Sequence, residues 1–368
     1  MNCQLLSYRR TISNLTSLRF FAISIVVLHH FRELIGWGPV GGWGAIGVTF
    51  FFILSGFVLT ISNYHIENIV DAKKFIIKRL IRLYPLYIIT FIISYFLIKI
   101  LHLKIDTSFL SAITSIFLVQ SWIKSPDIHF SFNSLSWAVS TLFFFYVMFS
   151  IIQLNFKRNV LIFVIFCSLS LFFSIYYLNV GSVDPLDVHW LLHMFPLNRF
   201  FVFILGVFLA HCYFLVTNHV ENLWGGLFSF FEFLCLVLIF DRLFFFNFSE
   251  FIYANFQNLL GVKVNIARQV LDIYFITPVI CSFFILIFSF EKGIFSRILS
   301  SKFFLFWGEV SFPIYLIHQI VFRYFSRVGE FSVSVTIVMA VSFVMLFSVF
   351  YHFFVDKYLT SYLKKYFV

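Results

Sequence analysis

Ten apolar runs constrain this chain more than any other feature. They lie near 18–35, 47–64, 84–101, 134–154, 159–178, 197–216, 224–246, 270–290, 303–325 and 332–354. Each approaches the ~20 residues that a helix needs to cross the hydrocarbon core of a bilayer. No water reaches that core to satisfy backbone N–H and C=O groups, so long unalternating apolar runs are read as helices whose hydrogen bonds are internal. With 61% of its residues hydrophobic and 11% charged, the chain could not clothe a soluble fold in polar surface. The expectation is an all-α, polytopic integral membrane protein of about ten transmembrane helices, forming one domain over residues 1–368.

An even number of spans puts both termini on one side, and charge says which. If the N-terminus is inside, the inner loops collect Arg9, Arg10, Lys73, Lys74, Lys78, Arg79, Arg82, Lys157, Arg158, Lys364 and Lys365. The outer loops hold fewer cations, such as Arg32, Lys104 and Lys124. The positive-inside rule therefore predicts cytoplasmic termini. The net charge of +10 thus reads as a topology signal and not as a nucleic-acid groove. The first run follows a polar, basic leader and lacks a small-residue cleavage site, so it reads as a retained helix. Cys3, Cys167, Cys212, Cys235 and Cys281 stand singly, without metal spacing, and no ligand constellation emerges among the eleven histidines. No metal is expected. The long connections at 102–133, with the amphipathic stretch Leu110 to Trp122, and at 241–269 are candidates for re-entrant structure or for contact with an external partner.

Ionisable residues inside apolar runs are costly, at least ~2.5 kcal/mol on insertion scales, and so point to function. Arg19 and His30 are eleven residues apart, which returns a helix to within ~20° of the same azimuth after a rise of ~16 Å. They share one face of the first helix. The structural alternatives are an interfacial anchor for Arg19 and a hydrogen-bonded packing histidine for His30. His29 points elsewhere and is the weaker candidate, and Glu33, one turn past His30, is placed to orient its ring. Lys78, Arg79 and Arg82 precede the third span, with Arg79 and Arg82 adjacent on a helix. Guanidiniums at a membrane boundary suit a phosphorylated ligand, or they are ordinary inner-side charge. Ser55 and Gly56 supply small side chains for close helix approach. His318 lies at depth in the ninth run, five residues after Pro313, which is expected to kink that helix. Arg199 enters the sixth run near its outer end, as an interface anchor.

Together these residues resemble the acyltransferase-3 family of integral-membrane acyltransferases. LTSLRFFAISIVVLHHF matches its Arg-x10-His motif, GVTFFFILSGF its second-helix signature and KRLIRLYPLY its Arg-x-x-Arg boundary motif. SLSWAVSTLFFFY, LNRFFVFILGVFLA and WGEVSFPIYLIHQ follow in the right order, so the resemblance runs from Leu15 to Gln319. It implies transfer of an acyl group, usually acetyl, from cytoplasmic acetyl-CoA or another acyl-CoA to a hydroxyl of a surface polysaccharide or its lipid-linked saccharide precursor. The implied location is the inner (cytoplasmic) membrane of a bacterial cell, embedded in its lipid bilayer, with no nucleic acid involved and with an oligomeric state that the resemblance leaves open. Arg19 and His30 would form the essential pair, and Lys78, Arg79 and Arg82 would lie on the coenzyme side. Trp137, Ser140, Tyr146, Arg199, His318 and Glu33 would support the site or contact substrate. The chain departs from the pattern at Leu142, where many members carry glutamate in a Trp-x-Leu-Ser-x-Glu segment. Either another carboxylate such as Glu33 serves instead, or that task is absent.

The chemistry expected is removal of the alcohol proton by His30 as general base, with positive charge, partly from Arg19, at the oxyanion. An acylated histidine intermediate is the other route. A transporter using Arg19, His30 and His318 for substrate or protons, and a scaffold in polysaccharide assembly, are the rival classes. The enzyme reading requires a cavity linking Arg79 and Arg82 to His30.

Overall fold

The computed structural model describes residues 12–35, 43–62, 66–180, 184–220, 224–245, 264–328 and 332–367. The long elements are α1 (Ser13–Ile35), α2 (Trp43–Ile61), α3 (Ile69–Ile100), α6 (Ser136–Leu154), α7 (Phe156–Val180), α9 (Pro196–Val220), α10 (Gly225–Phe244), α12 (Thr277–Ser289), α14 (Lys302–Val328) and α15 (Val333–Tyr351). Shorter helices intervene: α4 (Phe109–Ile116), α5 (Pro126–His129), α8 (Pro185–His189), α11 (Val264–Leu271), α13 (Ile294–Leu299) and α16 (Lys357–Phe367). Among the described residues there is no strand, and nine helices are long and apolar enough to cross a membrane. The protein is an all-α, multi-pass membrane protein.

The seventh expected run, 224–246, forms α10, a 20-residue helix that falls outside the nine because it carries three charges, Glu232, Asp241 and Arg242. Two of these charges are used internally. The buried Glu232 carboxylate accepts from the backbone of Phe295 at 2.9 Å and from the Ser296 hydroxyl, capping α13. Arg242 pairs with Asp272, in the π-turn that leads into α12. A buried charge with a partner is tolerated where a lone one is not.

Two boundaries differ from the expected runs for local reasons. α1 starts at Ser13 because Glu291 accepts from its amide at 2.8 Å and from its hydroxyl at 2.7 Å, a cap supplied from far along the chain. α3 starts fifteen residues before the expected run at 84, since Asn68 caps the Val70 and Asp71 amides and the helix continues through Pro85. Lys78, Arg79 and Arg82 therefore sit within a long helix, not ahead of one.

Glycine sets the closest crossing. A Cβ on Gly56 would lie 2.2 Å from the Phe203 carbonyl oxygen, and one on Gly206 would lie 2.0 Å from that of Ile53. α2 and α9 thus meet backbone to backbone, an approach only residues without a side chain allow. α1 lies between α2 and α14, and this trio with α6 and α9 encloses the site.

The 102–133 connection is folded, not extended. Tyr87 donates to the Ser115 carbonyl at 2.7 Å, and Gln120, fully buried, donates to the Ser136 carbonyl at 3.2 Å. Trp190 donates to the Ser121 carbonyl at 3.1 Å. The segment forms a roof over one end of the bundle. His129 lies in it with its Nδ1 3.1 Å from the Ile123 carbonyl, and burial holds its pKa below the ordinary histidine range. Most of the 241–269 connection lies outside the described residues.

Candidate active site

Helical periodicity lays the site out as a column. On α1, Arg19, Ile23, Val26 and His30 follow at spacings of four, three and four, one stripe of one helix. On α6, Trp137, Val139, Leu142 and Tyr146 descend in the opposite direction, and on α14 the residues Tyr315, Gln319 and Arg323 recur every fourth position. These stripes face one another and enclose two spaces.

Under the roof is a polar cavity of about 410 Å³, walled by His29, His30, Trp137, His189, His193, Arg199, Gln319 and Arg323 among others. Among its described lining residues there is no carboxylate. Its wall is hydrogen-bonded into place: Arg323 donates to the Ser134 hydroxyl at 2.6 Å, which donates to Gln319 at 2.5 Å, and Asn133 donates to the Leu316 carbonyl at 2.9 Å. Val26, Val48 and Tyr315 also line a second, narrow space of about 50 Å³, closed by Ile23, Phe51, Phe52, Leu142 and Phe312. This one is wholly apolar. Leu142, at the position expected to be acidic in the family pattern, is part of its wall.

One turn below that apolar passage, the column becomes basic. Arg79 lies over the Tyr146 ring at 5.6 Å and over Phe75 at 5.3 Å. Arg19 lies within the electrostatic reach of Arg82, Tyr146 and Arg79. Arg82 and Lys78 are exposed, while Arg19 and Arg79 are partly covered. Arg19 and His30 do share a face, as their spacing predicts. A rise of ~16 Å along α1, with Ile23 and Val26 between, separates the two side chains. Of the expected cavity between Arg79 and His30, the polar chamber and the small apolar space share Val26, Val48 and Tyr315, and neither has Arg79 or Arg82 in its lining.

His30 is the best-defined group in the column. Its Nδ1 lies 3.0 Å from the Val26 carbonyl and 3.2 Å from Nε2 of His318. The His318 Nδ1 lies 3.1 Å from the Ile314 carbonyl. Carbonyls only accept, so both Nδ1 atoms carry protons and the Nε2 of His318 is an acceptor. The Nε2 of His30 is left with a lone pair and no hydrogen bond among the described residues. That is the tautomer a base requires.

The remaining expected residues divide. Tyr146 belongs to the basic cluster and Trp137 to the polar cavity. Ser140 is buried away from both, donating to the Leu118 carbonyl at 2.7 Å and accepting from Ser121 at 2.7 Å, so it holds the roof to α6. The Glu33 side chain lies outside the described residues. His189, His193, Gln319 and Arg323 were not anticipated. Their signals were the four-residue spacing of the two histidines and the continuation of the Tyr315 stripe. Among the described residues, no three His, Cys, Asp or Glu side chains gather as a metal site would need.

Fold and site together define a polytopic membrane protein whose polar chamber adjoins a small apolar space, with a basic cluster at the far end of the same helices. The chain belongs to the acyltransferase-3 family, whose acyltransferase domain matches residues 12–354. It is 32% identical over 148 residues to the acyltransferase MdmB of Streptomyces mycarofaciens, a match covering 37% of this chain and 38% of that protein. No solved structure matches it.

Proposed function

We propose that the protein transfers an acyl group, acetyl in the simplest case, from cytoplasmic acyl-CoA to a hydroxyl of a surface polysaccharide or its lipid-linked precursor, in the inner membrane of a bacterium. The observation that carries this reading is the free Nε2 of His30, on the wall of the polar cavity, where α1 passes on to the apolar passage. The basic end of the column faces the cytoplasm by the positive-inside rule, and both termini lie there. Arg79, Arg82 and Lys78 hold the coenzyme phosphates, for which the guanidinium fork is suited, and Arg19 adds positive charge behind them. The apolar passage takes the uncharged acyl end of the donor. The acceptor sugar occupies the polar cavity, where Gln319 and Trp137 present a hydrogen-bonding side chain and an aromatic face.

In the direct route, His30 removes the acceptor hydroxyl proton as the oxygen attacks the thioester carbonyl. His318 fixes the ring through the Nδ1 contact, so it is a positioning residue. Leu142 leaves the passage without an acid, which fits a channel for an uncharged chain.

Membranes containing the protein, incubated with labelled acetyl-CoA and candidate glycans, test the reading. Wild type is expected to label an acceptor and His30→Ala is not. Equal labelling by His30→Ala removes the base assignment. Absence of labelling by wild type across acceptors, with uptake of a solute instead, replaces transfer by transport.

A further inference from the structure

Arg199 is 1% exposed and lines the polar cavity; the Tyr274 hydroxyl stands beside it, yet Nε and Nη1 lie outside good hydrogen-bonding geometry to any described residue. Its third nitrogen, Nη2, donates to the Thr49 hydroxyl at 2.7 Å. No carboxylate pairs with it among the described residues. A buried cation without counter-charge is among the most costly groups a protein can hold, and burial of unmatched N–H groups adds to that cost. Such a group persists where an anion meets it at some stage of function.

The location indicates which anion. The guanidinium lies over the Phe52 ring, 5.4 Å from its centroid, and Phe52 walls the apolar passage. Arg199 therefore stands where that passage opens into the chamber that holds His30. The other arginine of the chamber, Arg323, is committed to the Ser134 hydroxyl and the Phe132 carbonyl. A permanently charged acceptor group would sit farther into the polar chamber. At the mouth of the passage the negative charge that arises is the one made by the reaction itself.

We propose that Arg199 is the oxyanion-binding residue of the acyl transfer; this rests on the transfer reaction proposed above. The acceptor O–H proton passes to Nε2 of His30 as the acceptor oxygen bonds to the thioester carbonyl carbon. The carbonyl π pair moves onto its oxygen, and that oxyanion takes the free N–H groups of Arg199. Its return re-forms the C=O bond and breaks the C–S bond, and the coenzyme thiolate leaves with the proton from His30. A donor aimed at charge that exists only in the transition state lowers the barrier without tightening ground-state binding.

Two variants, Arg199→Met and Arg199→Lys, are compared with wild type in purified, detergent-solubilised protein. The transfer rate of Arg199→Met is expected to fall about 100-fold or more in kcat, with the acceptor KM unchanged. Arg199→Lys, which keeps the charge but not the fork, is expected to fall between the two. The melting temperature of Arg199→Met is expected to hold or rise, because an uncompensated buried cation has been removed; a merely structural arginine would lower it. The proposal is overturned by a raised acceptor KM at constant kcat, which assigns Arg199 to an anionic group of the acceptor. A melting temperature that drops with activity overturns it as well, as does retained kcat. Wild type that transfers no acyl group overturns the transfer reading itself, a result distinct from all three.

Discussion

Nδ1 of His30 lies 3.2 Å from Nε2 of His318, joining the first and ninth expected spans by their imidazoles. The relation is directional, because each Nδ1 is also tied to a carbonyl four residues back on its own helix. In the proposed transfer His318 performs the orienting task that a carboxylate performs in other base-and-orienter pairs, without adding a further charge to a cavity that already contains two arginines.

Removing the base is expected to cost most. His30→Ala should lower kcat by about 10²–10⁴-fold, the range for general-base catalysis. His318→Ala should lower it by about tenfold or more but less than His30→Ala, since the lone pair survives and its aim does not. Single-turnover label transfer from acyl-CoA measures both.

The basic cluster should act on the donor alone. Arg79→Gln and Arg82→Gln are each expected to raise the acyl-CoA KM by about tenfold to a hundredfold, equivalent to a charge-assisted hydrogen bond of ~1.5–3 kcal/mol. The acceptor KM should not move. A change in the acceptor KM instead would place the acceptor at this end of the column.

The apolar passage makes donor length a testable quantity. Leu142→Ala widens a space of about 50 Å³ and is expected to shift preference from acetyl- toward butyryl-CoA. A change of about tenfold or more is the usual worth of a methylene in an apolar pocket. Competition between the two donors reads the ratio directly, and an unchanged ratio would remove the acyl chain from this passage.

Stability should respond at the glycine crossing without any change in chemistry. Gly56→Ala places a Cβ 2.2 Å from the Phe203 carbonyl oxygen, a backbone atom that cannot swing aside. Overpacking of this kind costs about 1–3 kcal/mol, visible as a lower melting temperature in detergent. Protein that remains folded should keep its acyl-CoA KM.

Much of the column was legible in the sequence because it obeys one period. Arg19 and His30 share a face by arithmetic alone, and His318 stood out as an ionisable residue at depth. Their roles were not legible, since periodicity gives azimuth and rise but not what packs between. Only the packing of α1 against α14 brings His318 to His30, and only the meeting of Ile23 with Leu142 shows the apolar space that lies at the height between Arg19 and His30. Leu142 read as a missing acid and is the wall of an apolar passage. The roof at 102–133 was foreseen as a candidate for re-entry, but its buried Gln120 and Ser121 find their partners on helices distant in sequence, where no local pattern points. Ser140 was expected beside the site and is instead bonded to Ser121 and the Leu118 carbonyl, fastening that roof to α6. The charges in α10 were masked by its length, and their cap and ion pair depend on α13 and on the turn before α12.

The apolar passage also matters to the cell outside any turnover. A chain of titratable groups running without interruption from Arg79 to the roof would be a route for protons through an energised membrane. About one helical turn of α1, from Ile23 to Val26, with Phe52 and Leu142 beside it breaks that route, because a constriction this small and this apolar excludes the water that would carry a proton. These side chains therefore act as an electrical insulator, and the bilayer can keep its potential around a protein that holds a polar chamber among its helices.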